Sequence, residues 1–353
     1  MRVDVFVLGL GPAGASAAAE AARRGARVLA VDRKREAGRP VQCAEFVPAM
    51  VGIDVGSLAE SVRQPIRGMT TFVEDDAPDQ LENFPGRMLD RAAFDAALMA
   101  EAVRAGAQCR LGANVRRISP AGVLGLSDGS RVEASVMVGA DGPRSLVGQA
   151  IGQVNTALVE TRQVTVPLHS AHRSTDIFLS GDIPGGYAWL FPKGAVANLG
   201  AGVDPVHRAR LKGIVEQLHA TLVQSGRVGP EVLGLTGGLI PVGGMLEPCA
   251  RLADTLVLLA GDAAGLTHPI SGAGIAAAVH SGRLAGQAAA EWAAGDRAAD
   301  TGYQEELESV FKVALDRAVR RRAELSGAYA GGARPDKPAL RRGWIAYPEY
   351  WAG

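Results

Sequence analysis

Cysteine is scarce in this 353-residue chain, and Cys43, Cys109 and Cys249 stand far apart. So wide a scatter offers no disulfide framework and suits a reducing compartment. Charge of one sign is missing too, because 37 Lys and Arg balance 37 Asp and Glu. Without a basic field, nucleic acid and anionic membranes are not expected partners. No stretch nears the ~20 apolar residues of a membrane span. The apolar N-terminus is broken by Asp4 and a glycine turn, so it does not read as a signal peptide, and a cytoplasmic protein is expected. The six histidines lack metal-ligand spacing, and there are no internal repeats. Aromatics are few at 5%, but apolar residues reach 47%, enough for sizeable cores. At this length, two domains sharing a ligand are expected.

What the chain does have is a glycine motif at its start. Val3, Val5, Phe6, Val7 and Leu8 form a run suited to a strand buried on both faces. Gly9-Leu10-Gly11-Pro12-Ala13-Gly14 follows at once, and the Ala-rich run from Ala15 has strong helical propensity. This is the strand–GxGxxG–helix context of a dinucleotide fingerprint. Gly9 makes the tight turn, Gly11 leaves room for a pyrophosphate, and Gly14 lets helix and strand pack closely. The helix start, with Pro12 and Ala13, turns its free N–H groups to the phosphates. A second strand, 27–31, ends at Asp32, close to the fingerprint spacing of ~20 residues beyond the glycines. Asp32, with Arg33 beside it, is where a ribose would be held.

The remaining chain alternates in texture. Residues 33–36 read as solvated surface and 38–45 as a loop. A short excursion at 67–85 carries a strand at 69–74, and 91–105 reads as a helix with Phe94, Leu98 and Val103 on one face. A hairpin spans 121–140 and runs into Gly139-Ala140-Asp141-Gly142. From about 157 to 249 strand-like segments dominate, with one helix near 207–225. His169 and His172 lie in a polar stretch that reads as surface. Another buried strand, 255–260, leads into Gly261-Asp262-Ala263-Ala264-Gly265, then helices near 274–294 and 303–326. The tail 331–353 reads as an irregular appendage. In a strand, Tyr187, Trp189 and Phe191 project to one face, forming either an ordinary sheet core or a flat apolar wall for a ligand. Cys43 alone reads as a small buried hydrophobe.

Taken together, the fingerprint, Gly139–Gly142 and Gly261–Gly265 resemble the two-domain flavoproteins related to para-hydroxybenzoate hydroxylase. Pro40-Val41-Gln42-Cys43-Ala44-Glu45, Tyr187-Ala188-Trp189-Leu190-Phe191-Pro192 and Pro269-Ile270-Ser271-Gly272-Ala273-Gly274-Ile275 are similar to motifs of the geranylgeranyl reductase family within it. That resemblance implies an α/β fold: a Rossmann-type FAD-binding domain (1–66, 86–156, 250–295), an inserted antiparallel-sheet substrate domain (67–85, 157–249) and a short helical C-terminus (296–353). It implies FAD held by the fingerprint, Asp32, Arg33, Cys43, Ala44, Arg91 near the pyrophosphate, Asp141, Gly261, Asp262 on the ribityl chain, and Gly272, Ala273, Gly274 and Ile275. Cys43 would be a proton donor beside the flavin, Glu45 a donor or a loop anchor, and His268 would face the substrate with Tyr187, Trp189 and Phe191. No second fingerprint exists, since Gly200-Ala201-Gly202 lacks a third glycine and reads as a strand bulge, so NADH or NADPH would visit transiently. The expected activity is hydride transfer to an isoprenoid or other activated alkene. The alternatives are electron donation to a protein partner, as in lipoate assembly, and flavin monooxygenation. No metal is expected.

Overall fold

The computed structural model describes residues 1–49 and 59–352. Residues 50–58, which the sequence reading assigns to the cofactor domain, lie outside the described residues. Strand β1 (Arg2–Leu8), helix α1 (Pro12–Arg23) and strand β2 (Val28–Asp32) form the expected βαβ unit. Five short strands follow: β3 (Phe46–Pro48), β4 (Val62–Ile66), β5 (Gly68–Val73), β6 (Asp79–Leu81) and β7 (Gly86–Leu89). Helix α2 (Arg91–Arg104) is started by Asp90, whose side chain accepts from Ala93 N. It buries Phe94, Leu98 and Ala102, at i, i+4 and i+8, while Val103 is 52% exposed, correcting the expected face by one residue.

Strands β8 (Gln108–Leu111), β9 (Val115–Ile118), β10 (Leu124–Leu126) and β11 (Arg131–Gly139) precede the short α3 (Leu146–Ala150). The chain then builds a second sheet from β12 (Leu158–Pro167), β13 (Ser174–Leu179), β14 (Ala188–Lys193) and β15 (Val196–Val203), adds α4 (Leu211–Gln224), and closes with β16 (Gly234–Pro241). It returns through β17 (Cys249–Leu252), β18 (Thr255–Leu259) and α5 (Ile275–Ala293). Helices α6 (Ala299–Leu307) and α7 (Val313–Ala330), joined by a π-turn, lead to α8 (Lys337–Arg342) and α9 (Pro348–Trp351).

The first sheet runs β17-β18-β11-β1-β2-β8, and β18, β11, β1, β2 and β8 are mutually parallel. Its register pairs Leu8 with Gly139 and Gly139 with Leu259, so the three Gly-containing turns leave the same edge of the sheet. In an open α/β sheet that carboxyl edge is where ligands bind. Helices α1 and α5 pack in parallel on this sheet through small residues. A Cβ on Gly282 would fall 2.2 Å from Ala13 O, and one on Gly286 2.3 Å from Ala17 O.

The second sheet, β16-β12-β15-β14-β13-β5-β6, is antiparallel apart from the β13–β5 pair. Its β15 keeps an unbroken register with β12 and β14, so Gly200 and Gly202 do not mark a bulge. Gly200 makes room instead, because a Cβ there would lie 2.5 Å from Trp189 Cζ2. Both faces of β14 are covered. Ala188 and Leu190 pack in a cluster with α4, while Trp189 and Phe191 join a second one. That second cluster contains Leu340, Trp344 and Tyr347. The tail is therefore ordered and packed, a correction to the irregular appendage expected from sequence. It buries Trp344, Tyr347 and Tyr350, which a solvated tail would expose.

Candidate functional site

Gly9 has φ +97, and a Cβ there would meet Ala140 O at 2.3 Å, so the turn requires glycine. A Cβ on Gly14 would lie 1.9 Å from Gly9 O, which is the close helix–strand approach. Around Gly11 the reverse holds, with nothing within 4 Å of an added Cβ. Helix α1, with Pro12 in its first turn, and α5, which begins at Ile275 behind Gly274, both lack a side-chain cap and first-turn acids. Two uncapped N-termini thus present positive ends at one edge, a cradle for a pyrophosphate. Beside it Asp32 accepts from Leu10 N and Lys34 N, each at 2.8 Å, while Arg33 is exposed at the strand end.

Asp262 sits opposite. Thr267 Oγ1 donates to its Oδ1 at 2.6 Å, and its Oδ2 has no hydrogen-bond partner among the described residues. Burial raises its pKa; Arg91 acts in the other direction. A Cβ on Gly261, at φ +60, would crowd Ala13 Cβ at 3.0 Å, and one on Gly274 would strike Thr267 Oγ1 at 2.4 Å. Gly272 has φ +69, and Ala273 O accepts from His268 N. Asn155, which the sequence reading missed, donates to both Pro143 O (3.2 Å) and Asp262 O (2.9 Å), tying two of the glycine turns together.

Asp141 plays a local part. It accepts from Ser145 Oγ at 2.5 Å and Leu146 N at 2.6 Å, organising the start of α3 rather than presenting a free carboxylate. Arg91 pairs with Asp95, Nε to Oδ1 at 3.1 Å, and also faces the Cys43 sulfur. Burial works against its charge, but Asp95 and Cys43 outweigh it and hold the guanidinium above its ordinary pKa.

The Cys43 loop is stitched to the second sheet. Cys43 Sγ accepts from Glu45 N at 3.2 Å, Thr236 Oγ1 donates to Val41 O at 2.5 Å, and Asn198 Nδ2 to Ala44 O at 3.2 Å. Gln163, 4% exposed, donates to Cys43 O at 3.2 Å while accepting from Trp189 Nε1 at 3.0 Å. Glu45 is 5% exposed and spends both oxygens, Oε2 on Lys193 Nζ (2.6 Å) and Asn198 (2.9 Å), Oε1 on Arg91 N (3.0 Å). Of the two roles open to Glu45, this is an anchor's. Gln163, Asn198 and Lys193 were not anticipated, although Gln163 and Asn198 are buried amides inside apolar strands, a pattern that asks for partners.

Of the three aromatics, Trp189 and Phe191 are 6% and 5% exposed, packed within the chain's own core. Tyr187 donates to Ser271 O at 2.7 Å, directly before Gly272, and burial raises its pKa. It lines a small, solvent-open cleft between the second sheet and helices α7 and α8. His268 is buried enough to bring its pKa down to about 4. Its Nδ1 faces the N–H groups of Ile270 (3.3 Å) and Ser271 (3.2 Å), so the neutral ring turns Nε2 to Tyr350 Oη at 3.3 Å. His172 is not free surface either; it lies 3.6 Å from the carboxylate of the buried Asp176, which raises its pKa. Among the described residues no helix is long and apolar enough to cross a membrane.

Comparison with known proteins agrees with this geometry. The chain matches the FAD binding domain family over residues 2–179. It is 33% identical to the digeranylgeranylglycerophospholipid reductase of Methanothrix thermoacetophila over 318 residues, 82% of this chain and 78% of that one. It is also 33% identical to the protein of that name from Methanocella arvoryzae, over 89% of this chain and 85% of that one. A geranylgeranyl bacteriochlorophyll reductase-like protein from Thermoplasma acidophilum shares the fold, with a TM-score of 0.83 at 24% identity over 99% of this chain and 97% of that one. Open glycine turn, paired helix N-termini and family match converge: the chain belongs to the geranylgeranyl reductase family of FAD-dependent oxidoreductases.

Proposed function

We propose that this protein saturates carbon–carbon double bonds of an isoprenoid chain, with NADH or NADPH as a transient source of reducing equivalents. The observation that carries the reading is the small, largely apolar cleft at Tyr187, whose wall is hydrogen-bonded to Ser271 O, directly before Gly272. The names of the curated relatives support the substrate class. Burial of a prenyl chain contributes about 0.8 kcal/mol per methylene.

Bound FAD supplies a ring that accepts and returns hydride. The space at Gly11, with Asp32 and Arg33, receives the adenosine diphosphate half; Gly261, Gly272, Ala273, Gly274, Ile275 and the spare oxygen of Asp262 receive the ribityl and phosphate side. Arg91 offsets phosphate charge from the α2 start. Saturation adds a hydride to one alkene carbon and a proton to the other. Cys43 Sγ donates that proton, and Arg91 beside it offsets the charge left on sulfur. Ala44 and the Glu45 anchor hold the loop in place, and His268, neutral, shapes the turn beneath the acceptor.

Anaerobic reduction with NADH or NADPH followed by a geranylgeranyl acceptor tests this. Flavin reoxidation with a product richer by two hydrogens is expected. Cys43→Ser should retain FAD and its reduction but slow reoxidation tenfold or more, general acid help being worth ~10²–10⁴-fold. A reduced flavin inert to every prenyl acceptor yet oxidised by a protein carrier, or by oxygen with a hydroxylated product, overturns the reading.

A further inference from the structure

The geometry points to Trp344 as the residue that sets how long an isoprenoid chain the cleft accepts, an inference that rests on the cleft being the acceptor site. The cleft is lined by Leu179, Ile183, Tyr187, Ile270, Leu340 and Trp344, among others. The ring of Trp344 stacks tilted on Tyr187 at 4.8 Å, its Nε1 donates to Met69 Sδ at 3.4 Å, and it is 2% exposed. Trp189 and Phe191 belong to the same buried cluster as Trp344, Leu340 and Tyr347. A chain entering beside Tyr187 and continuing along the aromatic strand meets this indole. The strand that would extend the cleft is closed by the chain's own tail.

The stop is fixed from outside the cleft. Lys337 Nζ lies 2.6 Å from both Asp75 and Asp76, and Arg341 2.8 Å from Asp76. Tyr347 Oη donates to Asp79 at 2.6 Å. Asp75 and Asp76, between β5 and β6, and Asp79, which opens β6, thus tether α8 and the turn that carries Trp344. Ion pairs and packing act on the same short segment, so the indole cannot swing aside without releasing both.

The test compares acceptors of two, three and four isoprene units on the FAD-loaded protein, by reoxidation rate and by equilibrium dialysis of their fully saturated counterparts. A single methylene in an apolar pocket discriminates about 10–200-fold, so the wild type should favour two units over four by at least about tenfold in both readouts. Trp344→Ala should erase most of that ratio. Lys337→Ala/Arg341→Ala, which leaves every cleft-lining side chain in place, should shift it the same way and decides the matter if Trp344→Ala does not fold. Equal rates and affinities for all lengths in the wild type, or a wild-type ratio in these variants, overturn the role of Trp344 while leaving the reductase reading intact. Failure of every chain to bind or react overturns both.

Discussion

Replacing Glu45 sets a backbone cost against an ion pair. The residue has φ +68, a left-handed conformation that costs a non-glycine residue roughly 1–2 kcal/mol. It is held there by Lys193, Asn198 and the Arg91 N–H, all on a carboxylate 5% exposed. Removing one partner of a buried pair costs about 3–5 kcal/mol. The Lys193 side chain is 21% exposed, so water softens the loss toward the lower figure. Glu45→Ala keeps the strained backbone without its anchor and should lose about 3 kcal/mol. Glu45→Gly loses the same pair but relieves the strain, less its own ~0.5–1 kcal/mol of extra chain entropy, and should come out up to about 1 kcal/mol more stable than Ala. Adding Lys193→Met to Glu45→Ala should recover part of the deficit, since neighbours in one network couple. Urea unfolding of the four proteins measures the order. Glu45→Ala within about 1 kcal/mol of wild type, or Ala more stable than Gly, would refute the reasoning.

Other outcomes follow from the cradle. Gly11→Ala should fold normally and lose FAD, because its Cβ enters only open space, whereas Gly14→Ala should fold poorly because its Cβ meets Gly9 O at 1.9 Å; thermal unfolding beside flavin absorbance distinguishes them. Asp262→Ala should weaken FAD binding by roughly 1.5–3 kcal/mol, the worth of a hydrogen bond to a charged group, read by flavin titration of the apoprotein. His268 stays neutral in the fold down to about pH 4 while the unfolded chain protonates near 6.5. Its contribution is therefore whole above pH 6.5 and is lost as pH falls from 6.5 to 4, by up to roughly 3 kcal/mol. His268→Asn should flatten the wild-type slope in that window, and an unchanged slope argues against a buried neutral ring.

The glycine turns were legible because each is decided within a few residues. Gly9 needs its φ, Gly14 its close approach, and both signals sit beside the strand that precedes them. Sheet order then brings Leu8, Gly139 and Leu259 level, which parallel pairing supplies without any further signal. The Cys43 loop was legible as a motif but not as a geometry. Lys193 reaches Glu45 across 148 positions and Gln163 reaches Cys43 across 120, and no local pattern carries such pairings. Helices of six and four residues in the tail are too short to show periodicity. Gly200 read as a bulge because glycine in a strand has two explanations, and only the position of the Trp189 ring chooses between them.

The stitched loop has a mechanical consequence. Residues 41–45 are fastened to β12, β14, β15 and β16 by Gln163, Lys193, Asn198 and Thr236. A jaw-like parting of the two sheets would have to break all four fastenings at once and strand a lysine and a glutamate as they came apart. Gln163, gripping Trp189 on one side and the Cys43 carbonyl on the other, joins the aromatic core directly to the loop.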